Sequence, residues 1–334
     1  MRVALRGQRW MISVLVVALV AAPSLAQGLL PPSLADAVDE TIVQVNVVFD
    51  SGGRPARGSG SGIVVDPSGL ILTAEHVINR ATSLEIQLQN GATYPARIVG
   101  RDPVYDSALL RIESQKLPIA SLGAAATLQP GELVTAFGRA PRRRAGPSPG
   151  TFIELDLEAR PGTPYLRSTA VVFPGDSGGA LVNDRGEVIG LIVAITRNGQ
   201  ISLAVSIDAI KAIMDDLRAG VVRHPWLGIF GTTITPELAR ELGLSVSSGV
   251  LILGVAEGGP AALAGVRGGR ATSPREIPRG GDVITAIDGV AMPTFGTLAA
   301  YVLSKRIGDV VTLEVRRDGL IYTIPMVLGE RPTT

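Results

Sequence analysis

The sequence predicts a mostly β protein: a pair of β-barrels followed by a smaller α+β unit. Three observations carry this expectation. From about 41 to 205, short β-branched runs such as TIVQVNVVF, GIVVD, ARIVG, ELVTAFG and EVIGLIVAI are broken by glycine turns, with no long helical pattern between them. Residues 208–218 then set Ile210, Ile213, Met214 and Leu217 at helical spacing and end at Gly220, which predicts one helix closing the first domain. Beyond a short connector holding His224 and Pro225, strand-like segments (WLGIFG, GVLILGV, DVITAIDG, VVTLEVRRDGLIYTIPMVL) alternate with helix-like ones (PELARELGL, LAAYVLSK).

Composition bounds the class. A chain of 334 residues has length for two domains, each with a real core. The 46% hydrophobic content excludes a highly charged disordered chain, and only one long apolar run, near the amino terminus, excludes a polytopic membrane protein. Thirty-one Lys and Arg against 30 Asp and Glu leave no whole-molecule field to recruit nucleic acid. The absence of cysteine excludes disulfides, thiol nucleophiles and cysteine metal sites. With two histidines far apart in sequence, no metal and no cofactor are expected.

The amino terminus points to export. Arg2, Arg6 and Arg9 precede an apolar run over 10–22, and Ser24-Leu25-Ala26 offers small residues where a signal peptidase reads. Residues 1–26 are read as a signal peptide; the alternative is an uncleaved membrane anchor. The run is shorter than the roughly 20 residues of a spanning helix, which favours cleavage after Ala26. Removal would leave 28 bases against 30 acids. An exported chain held by packing alone suits the bacterial periplasm or cell envelope.

Chemistry is concentrated in Gly175-Asp176-Ser177-Gly178-Gly179, a glycine turn between two β runs. Such a turn can present a serine hydroxyl beside exposed backbone N–H groups. A serine hydroxyl is a poor nucleophile at neutral pH, so it needs a base and a group to orient that base. His76 in LTAEHVI and Asp106 in YDSALLRI supply them, in the chain order His, Asp, Ser of the chymotrypsin-like double barrel. The N–H groups of Gly175 and Ser177 are the expected oxyanion hole. Asp176 is either a switch that pairs with a buried positive group or a carboxylate capping its own turn.

With these segments and a carboxy-terminal WLGI unit in place, the chain resembles the HtrA/Deg family of exported, ATP-independent serine proteases over about 34–330. GSGSGIVVDPSGLILTAEHV, VGRDPVYDSALLRI and TAVVFPGDSGGALVNDRGEVIGL carry the likeness in the first domain. EGGPAALAG, GGDVITAIDGVAM and VVTLEVRRDG carry it in the second. The resemblance implies a trypsin-like serine protease domain over 27–221 and a PDZ domain over 222–330. It also implies a His76, Asp106, Ser177 triad, degradation of unfolded or misfolded envelope proteins, and homotrimers. Asp176 and Ala180 depart from the family's usual Asn and Pro. RAPRRRAGPSPG replaces a Gly/Asn-rich turn, and the loop between Phe49 and Arg57 is too short for cage contacts. An extra PDZ loop spans 267–279.

In this fold Val171 falls at the base of the primary specificity pocket, and Val193, Ala194 and Ile195 at its wall. Without a carboxylate there, cleavage after small or medium aliphatic residues is expected; the alternative is that these side chains are ordinary core. In a PDZ domain a peptide carboxy terminus adds beside an edge strand, held by a loop of backbone N–H groups. Trp226, Leu227, Gly228 and Ile229 match that loop and edge; Leu298 and Val302 would face the groove or pack as core. The Arg142 to Arg144 run reads as a solvated loop, not a nucleic-acid site. Two other functions fit the sequence: a catalytically silent, chaperone-like peptide binder, and a membrane-tethered signalling protease.

Overall fold

The computed structural model describes residues 30–332 other than 142–145, 196–200, 272 and 274–275; the segment 1–26, expected to be a signal peptide, and the Arg142–Arg144 run therefore lie outside the described residues. Helix α1 (Pro32–Asp39) starts with proline at its first turn and leads into β1 (Ile42–Asp50), β2 (Pro55–Asp66) and β3 (Leu70–Thr73). The one-turn helix α2 (Glu75–Ile78), β4 (Ala81–Gln87), β5 (Thr93–Asp102) and β6 (Ser107–Ile112) follow. These six strands close a barrel in the order β1-β2-β3-β6-β5-β4. A second closed barrel, β10-β11-β12-β9-β8-β7, is made from β7 (Leu133–Phe137), β8 (Ser148–Asp156), β9 (Tyr165–Ser168), β10 (Ala180–Val182), β11 (Val188–Ile195) and β12 (Ser202–Ser206).

The side-chain period of two explains the barrel interiors. Val43, Val45 and Val47 of β1 point inward with Ile71, Ile86 and Leu110, and Val134, Phe152, Leu166 and Ile192 fill the second barrel. The alternate residues Ile42, Ile63, Leu72 and Leu109 are equally buried, because they form the seam with Phe137, Leu191 and Val205 of the other barrel. Strands at the seam thus bury both faces and lose polar alternation, as LILT of β3 does completely.

The helix expected over 208–218 is two helices, α3 (Ile207–Ala212) and α4 (Met214–Ala219), broken at Ile213 with φ −109° and ψ 6°. The break lets Ile207, Ile210, Met214 and Leu217 all reach the seam core, and Gly220 in the left-handed region ends α4. The Asp208 carboxylate pins α3 by accepting from the N–H groups of Ala125 and Ala126, both at 2.9 Å.

The second unit contains β13 (Pro225–Trp226), β14 (Ile229–Thr233), α5 (Pro236–Leu242), β15 (Val250–Val255), α6 (Pro260–Leu263), β16 (Val283–Ile287) and β17 (Val290–Ala291). It ends with α7 (Phe295–Leu303), β18 (Val310–Arg317), β19 (Leu320–Val327) and β20 (Gly329–Glu330). Its sheet runs β14-β15-β16-β18-β19, with β17 on β16 and β13 paired to β20. Val250, Ile252, Ile284, Leu298, Leu313 and Val315 are core.

The connector is anchored to the first barrel. His224 is buried, its Nε2 lies 2.8 Å from Asp102 Oδ1, and its ring meets Tyr105 edge-on at 5.3 Å. Glu158, after β8, accepts from Gly296 N at 2.8 Å and Thr233 Oγ1 at 3.0 Å.

Candidate active site

His76 and Asp106, thirty residues apart, meet because β3 and β6 are neighbours in the first barrel. The chain leaves β3 through Ala74 into α2, which lifts His76 out of the barrel, and Asp106 sits immediately before β6 with φ +47°. That left-handed turn is held by Asp102, whose carboxylate accepts from Val104 N at 2.9 Å and Tyr105 N at 3.2 Å. Asp106 then grips His76 twice. One oxygen accepts the His76 backbone N–H at 2.9 Å, and the other lies 2.7 Å from Nδ1.

A carboxylate only accepts, so this contact places the proton on Nδ1 and leaves the Nε2 lone pair facing outward. The His76 side chain is 46% exposed while Asp106 is 17% exposed, so the imidazole is accessible and its carboxylate partner is sheltered. The Asp106 hydrogen bond raises the His76 pKa above its ordinary 6.5, against the opposing effect of burial; the charges of Asp106 and Glu75 add to the rise. Burial pushes the neighbouring Glu75 carboxyl up, with Arg101 acting the other way.

Ser177 is brought to the same edge by the second barrel. Its carbonyl accepts from Ser61 N at 2.7 Å. The close packing of Gly178 fixes the loop further: a Cβ there would stand 2.1 Å from Ser61 O and 2.4 Å from Thr73 Oγ1. Over Gly60, Ser177 O and the side chain of Val77, the residue after His76, come together. The Ser177 hydroxyl donates to Val193 O at 3.4 Å, so its hydrogen bond to His76 is unmade in this conformation. Unligated active sites commonly tighten such contacts only when substrate binds.

Gly175 has φ +109°, a conformation that glycine adopts without strain. The N–H groups of Gly175 and Ser177 donate to no partner among the described residues. Asp176, fully buried, accepts from Phe173 N at 2.8 Å and from Ala140 N at 3.1 Å. It therefore caps its own turn and also ties that turn to the segment after β7.

The residues expected at a specificity pocket divide. Val171 is 48% exposed between buried Ala170 and Val172, and Val193 is buried. Ala194 and Ile195 pair along β11 with Leu203 and Ser202, and their side chains lie outside the described residues.

A second cleft of about 380 Å³ runs between β14 and α7. It is lined by Trp226, Leu227, Gly228, Ile229, Leu298 and Val302, with Arg160 and Pro161 of the first unit over it. Leu298 and Val302 are therefore both core and groove wall. Gly228 has φ +80°, and the N–H groups of Leu227 and Gly228 donate to no described partner, which makes a small nest for an anion. Arg160 and Glu158 escaped the sequence reading because they sit far from the groove in the chain; no local pattern marks them.

Two closed barrels with His, Asp and Ser along one edge, joined to a sheet and helix with a free edge strand, define a trypsin-like serine protease fold with a PDZ domain. Residues 60–191 match the trypsin-like peptidase domain family and residues 226–325 match the PDZ domain family. The chain is 33% identical over 301 residues to the protein named serine protease HhoA of Synechocystis sp., covering 84% of this chain and 73% of that one. It is 30% identical to HhoB of the same organism, covering 83% of this chain and 66% of HhoB. With a protein of Pseudomonas fulva named a DegP-like periplasmic serine endoprotease it shares 32% identity, covering 91% of this chain and 63% of that one. Among solved structures, the HtrA-type protease AlgW with tripeptide superposes with a TM-score of 0.74 at 28% identity, covering 91% of this chain and 99% of that one. The chain belongs to the HtrA/Deg family of serine proteases.

Proposed function

We propose that this protein is an exported, ATP-independent serine endopeptidase that cuts unfolded or misfolded proteins of the bacterial envelope. The observation that carries the proposal is the double grip of Asp106 on His76, 2.9 and 2.7 Å, beside a serine turn with two N–H groups that have no partner among the described residues. In the proposed reaction the Ser177 hydroxyl swings from Val193 O to His76 Nε2, gives up its proton there and attacks the scissile carbonyl. The oxyanion forms against Gly175 N and Ser177 N, and imidazolium returns the proton to the leaving amine, giving an acyl-enzyme. Water, deprotonated by the same imidazole, then attacks the ester and releases Ser177.

Asp106 stabilises the imidazolium, and the rise in His76 pKa is the equilibrium mark of that stabilisation. Exposed Val171 and buried Val193 support an uncharged pocket and cleavage after Val, Ala or Leu; cleavage sites mainly after Lys or Arg would overturn that assignment. The second cleft is proposed to bind peptide carboxy termini at Leu227 and Gly228, with the peptide added beside β14. Replacing the terminal carboxylate of a bound peptide by an amide is expected to weaken binding at least about tenfold, measured by fluorescence anisotropy. Similar affinity for both forms would remove the carboxylate role. The proposal divides the chain into 27–221 and 222–330, a division that falls between α4 and β13. Family membership, and relatives named periplasmic, support a periplasmic homotrimer, which sedimentation tests.

The hydrogen bond from Ser177 to Val193 O favours a second reading, a catalytically silent peptide binder. One experiment separates the two. The full chain and Ser177→Ala are incubated with unfolded β-casein without ATP, and in parallel with a fluorophosphonate probe, each with and without a hydrophobic carboxy-terminal peptide. Digestion and labelling of the parent alone support the peptidase. A parent that never labels supports the binder.

A further inference from the structure

Ser61 lies in the Gly58-Ser59-Gly60-Ser61-Gly62 run. In the structure it belongs to β2, and it is fully buried. Its four hydrogen-bonding roles are all filled. Its N–H donates to Ser177 O at 2.7 Å, and its carbonyl accepts from Thr73 Oγ1 at 2.7 Å. Its hydroxyl accepts from Arg139 N at 2.7 Å and donates to Gly175 O at 2.8 Å.

The hydroxyl contact has a direction. Because Arg139 N–H occupies a lone pair of Ser61 Oγ, the hydroxyl hydrogen is left to point at Gly175 O. Arg139 cannot easily withdraw, since its guanidinium donates to both Asp39 carboxylate oxygens (3.0 and 3.1 Å), to Asp39 O (2.6 Å) and to Ile42 O (2.8 Å). A chain of contacts thus runs from the end of α1 through Arg139 and Ser61 to the serine turn.

What it holds is the peptide plane between Gly175 and Asp176. The N–H of that plane donates to Phe173 O at 2.9 Å and its carbonyl accepts from Ser61. The two free N–H groups lie on the planes immediately before and after it. A glycine at φ +109° has no Cβ to oppose rotation of its peptides, so the orientation of this turn must be imposed from outside. Turning the plane over would leave Gly175 O and the Ser61 hydroxyl unpaired in a buried place.

We propose that Ser61 is a positioning residue for the oxyanion hole: its hydroxyl fixes the Gly175–Asp176 peptide so that Gly175 N and Ser177 N converge on the substrate carbonyl. The proposal rests on the peptidase reading above. A failure of that reading would show in the parent protein, as absence of turnover, whereas a failure of this one would show only in the variant.

The test is Ser61→Ala in the full chain, assayed on a fluorogenic peptide cut by the parent, with inhibition by a peptidyl trifluoromethyl ketone, whose hemiketal oxyanion occupies the same hole. A donor removed from such a hole costs about 100 to 1,000-fold in rate, and one misplaced is expected to cost about 10 to 100-fold. The expected result is a fall of that size in kcat, an equal loss of affinity for the ketone, KM within about threefold, and an unmoved acid limb of the pH profile. Parent-like kcat, or a loss confined to KM, would overturn the proposal. Should Ser61→Ala not fold, Ser61→Cys, which keeps the shape with weaker hydrogen bonds, decides the matter: an unchanged melting temperature with reduced kcat and ketone affinity supports it, and parent-like kcat refutes it.

Discussion

Asp106→Asn is expected to lower the plateau of kcat/KM by about 10,000-fold while moving its acid limb to lower pH. Both effects come from the same contact. In the proposed mechanism His76 must be neutral to take a proton, and in the parent Asp106 holds its pKa above 6.5. Activity should therefore be lost as pH falls through that raised value, with a limb on the alkaline side of an ordinary histidine. An asparagine amide keeps the size of the carboxylate but removes its charge and presents either a carbonyl or an NH2 to Nδ1. The imidazolium loses its stabilisation, so the limb moves down, and the ring can adopt the tautomer whose Nε2 carries the proton and cannot accept one. The backbone contact from His76 N to Asp106 Oδ1 can survive in the amide, so the site should keep its shape. The measurement is kcat/KM on a peptide between pH 5 and 9 for both proteins. A limb unmoved by the substitution would mean that Asp106 does not set the charge of His76.

The parts of this fold legible in sequence are those in which local pattern and tertiary context agree. The glycine turn around Ser177 and the chain order of His76, Asp106 and Ser177 needed no knowledge of distance, because the double barrel brings β3, β6 and the loop before β10 to one edge. LILT of β3 carries no strand signature of its own, since burial on both faces removes the alternation that announces one. The helix over 208–218 was legible as helix, but its break at Ile213 was not: the periodicity continues through it, and only the shape of the seam requires the change of direction. Helix α1 gave too short a pattern to announce itself, and its value lies in Asp39, a hundred residues from Arg139. The same distance problem hides the pairing of His224 with Asp102 and that of Ser61 with Gly175 and Arg139. In each of these cases the missing information is a pairing between segments, which composition and period do not encode.

The other large effect is expected in the PDZ domain, at a charge that no local pattern explains. Asp282 is fully buried and Arg317 is 12% exposed; they meet through two parallel contacts of 2.7 Å, Nε to Oδ1 and Nη2 to Oδ2. Asp282 also accepts from Arg267 N at 2.8 Å and donates from its own N–H to Arg267 O at 2.9 Å, so it closes the base of the inserted loop between these two residues. Arg317→Met should retain much of the buried stem but strand a carboxylate away from water, a change that typically costs about 3 to 5 kcal/mol. For a domain of this size that is a large part of its stability. Arg317→Lys should recover only part of it, because an ammonium cannot make two parallel bonds to the carboxylate and also reach Gly265 O as Nη2 does at 2.8 Å. The readout is built into the chain. Its two tryptophans are Trp10 and Trp226, so once residues 1–26 are removed, tryptophan fluorescence reports on β13 alone. Urea titration followed at that signal should shift to markedly lower midpoint in Arg317→Met, with Arg317→Lys between it and the parent. An unshifted midpoint would show that losing Arg317 does not strand the Asp282 carboxylate, and that this pair does not hold the domain.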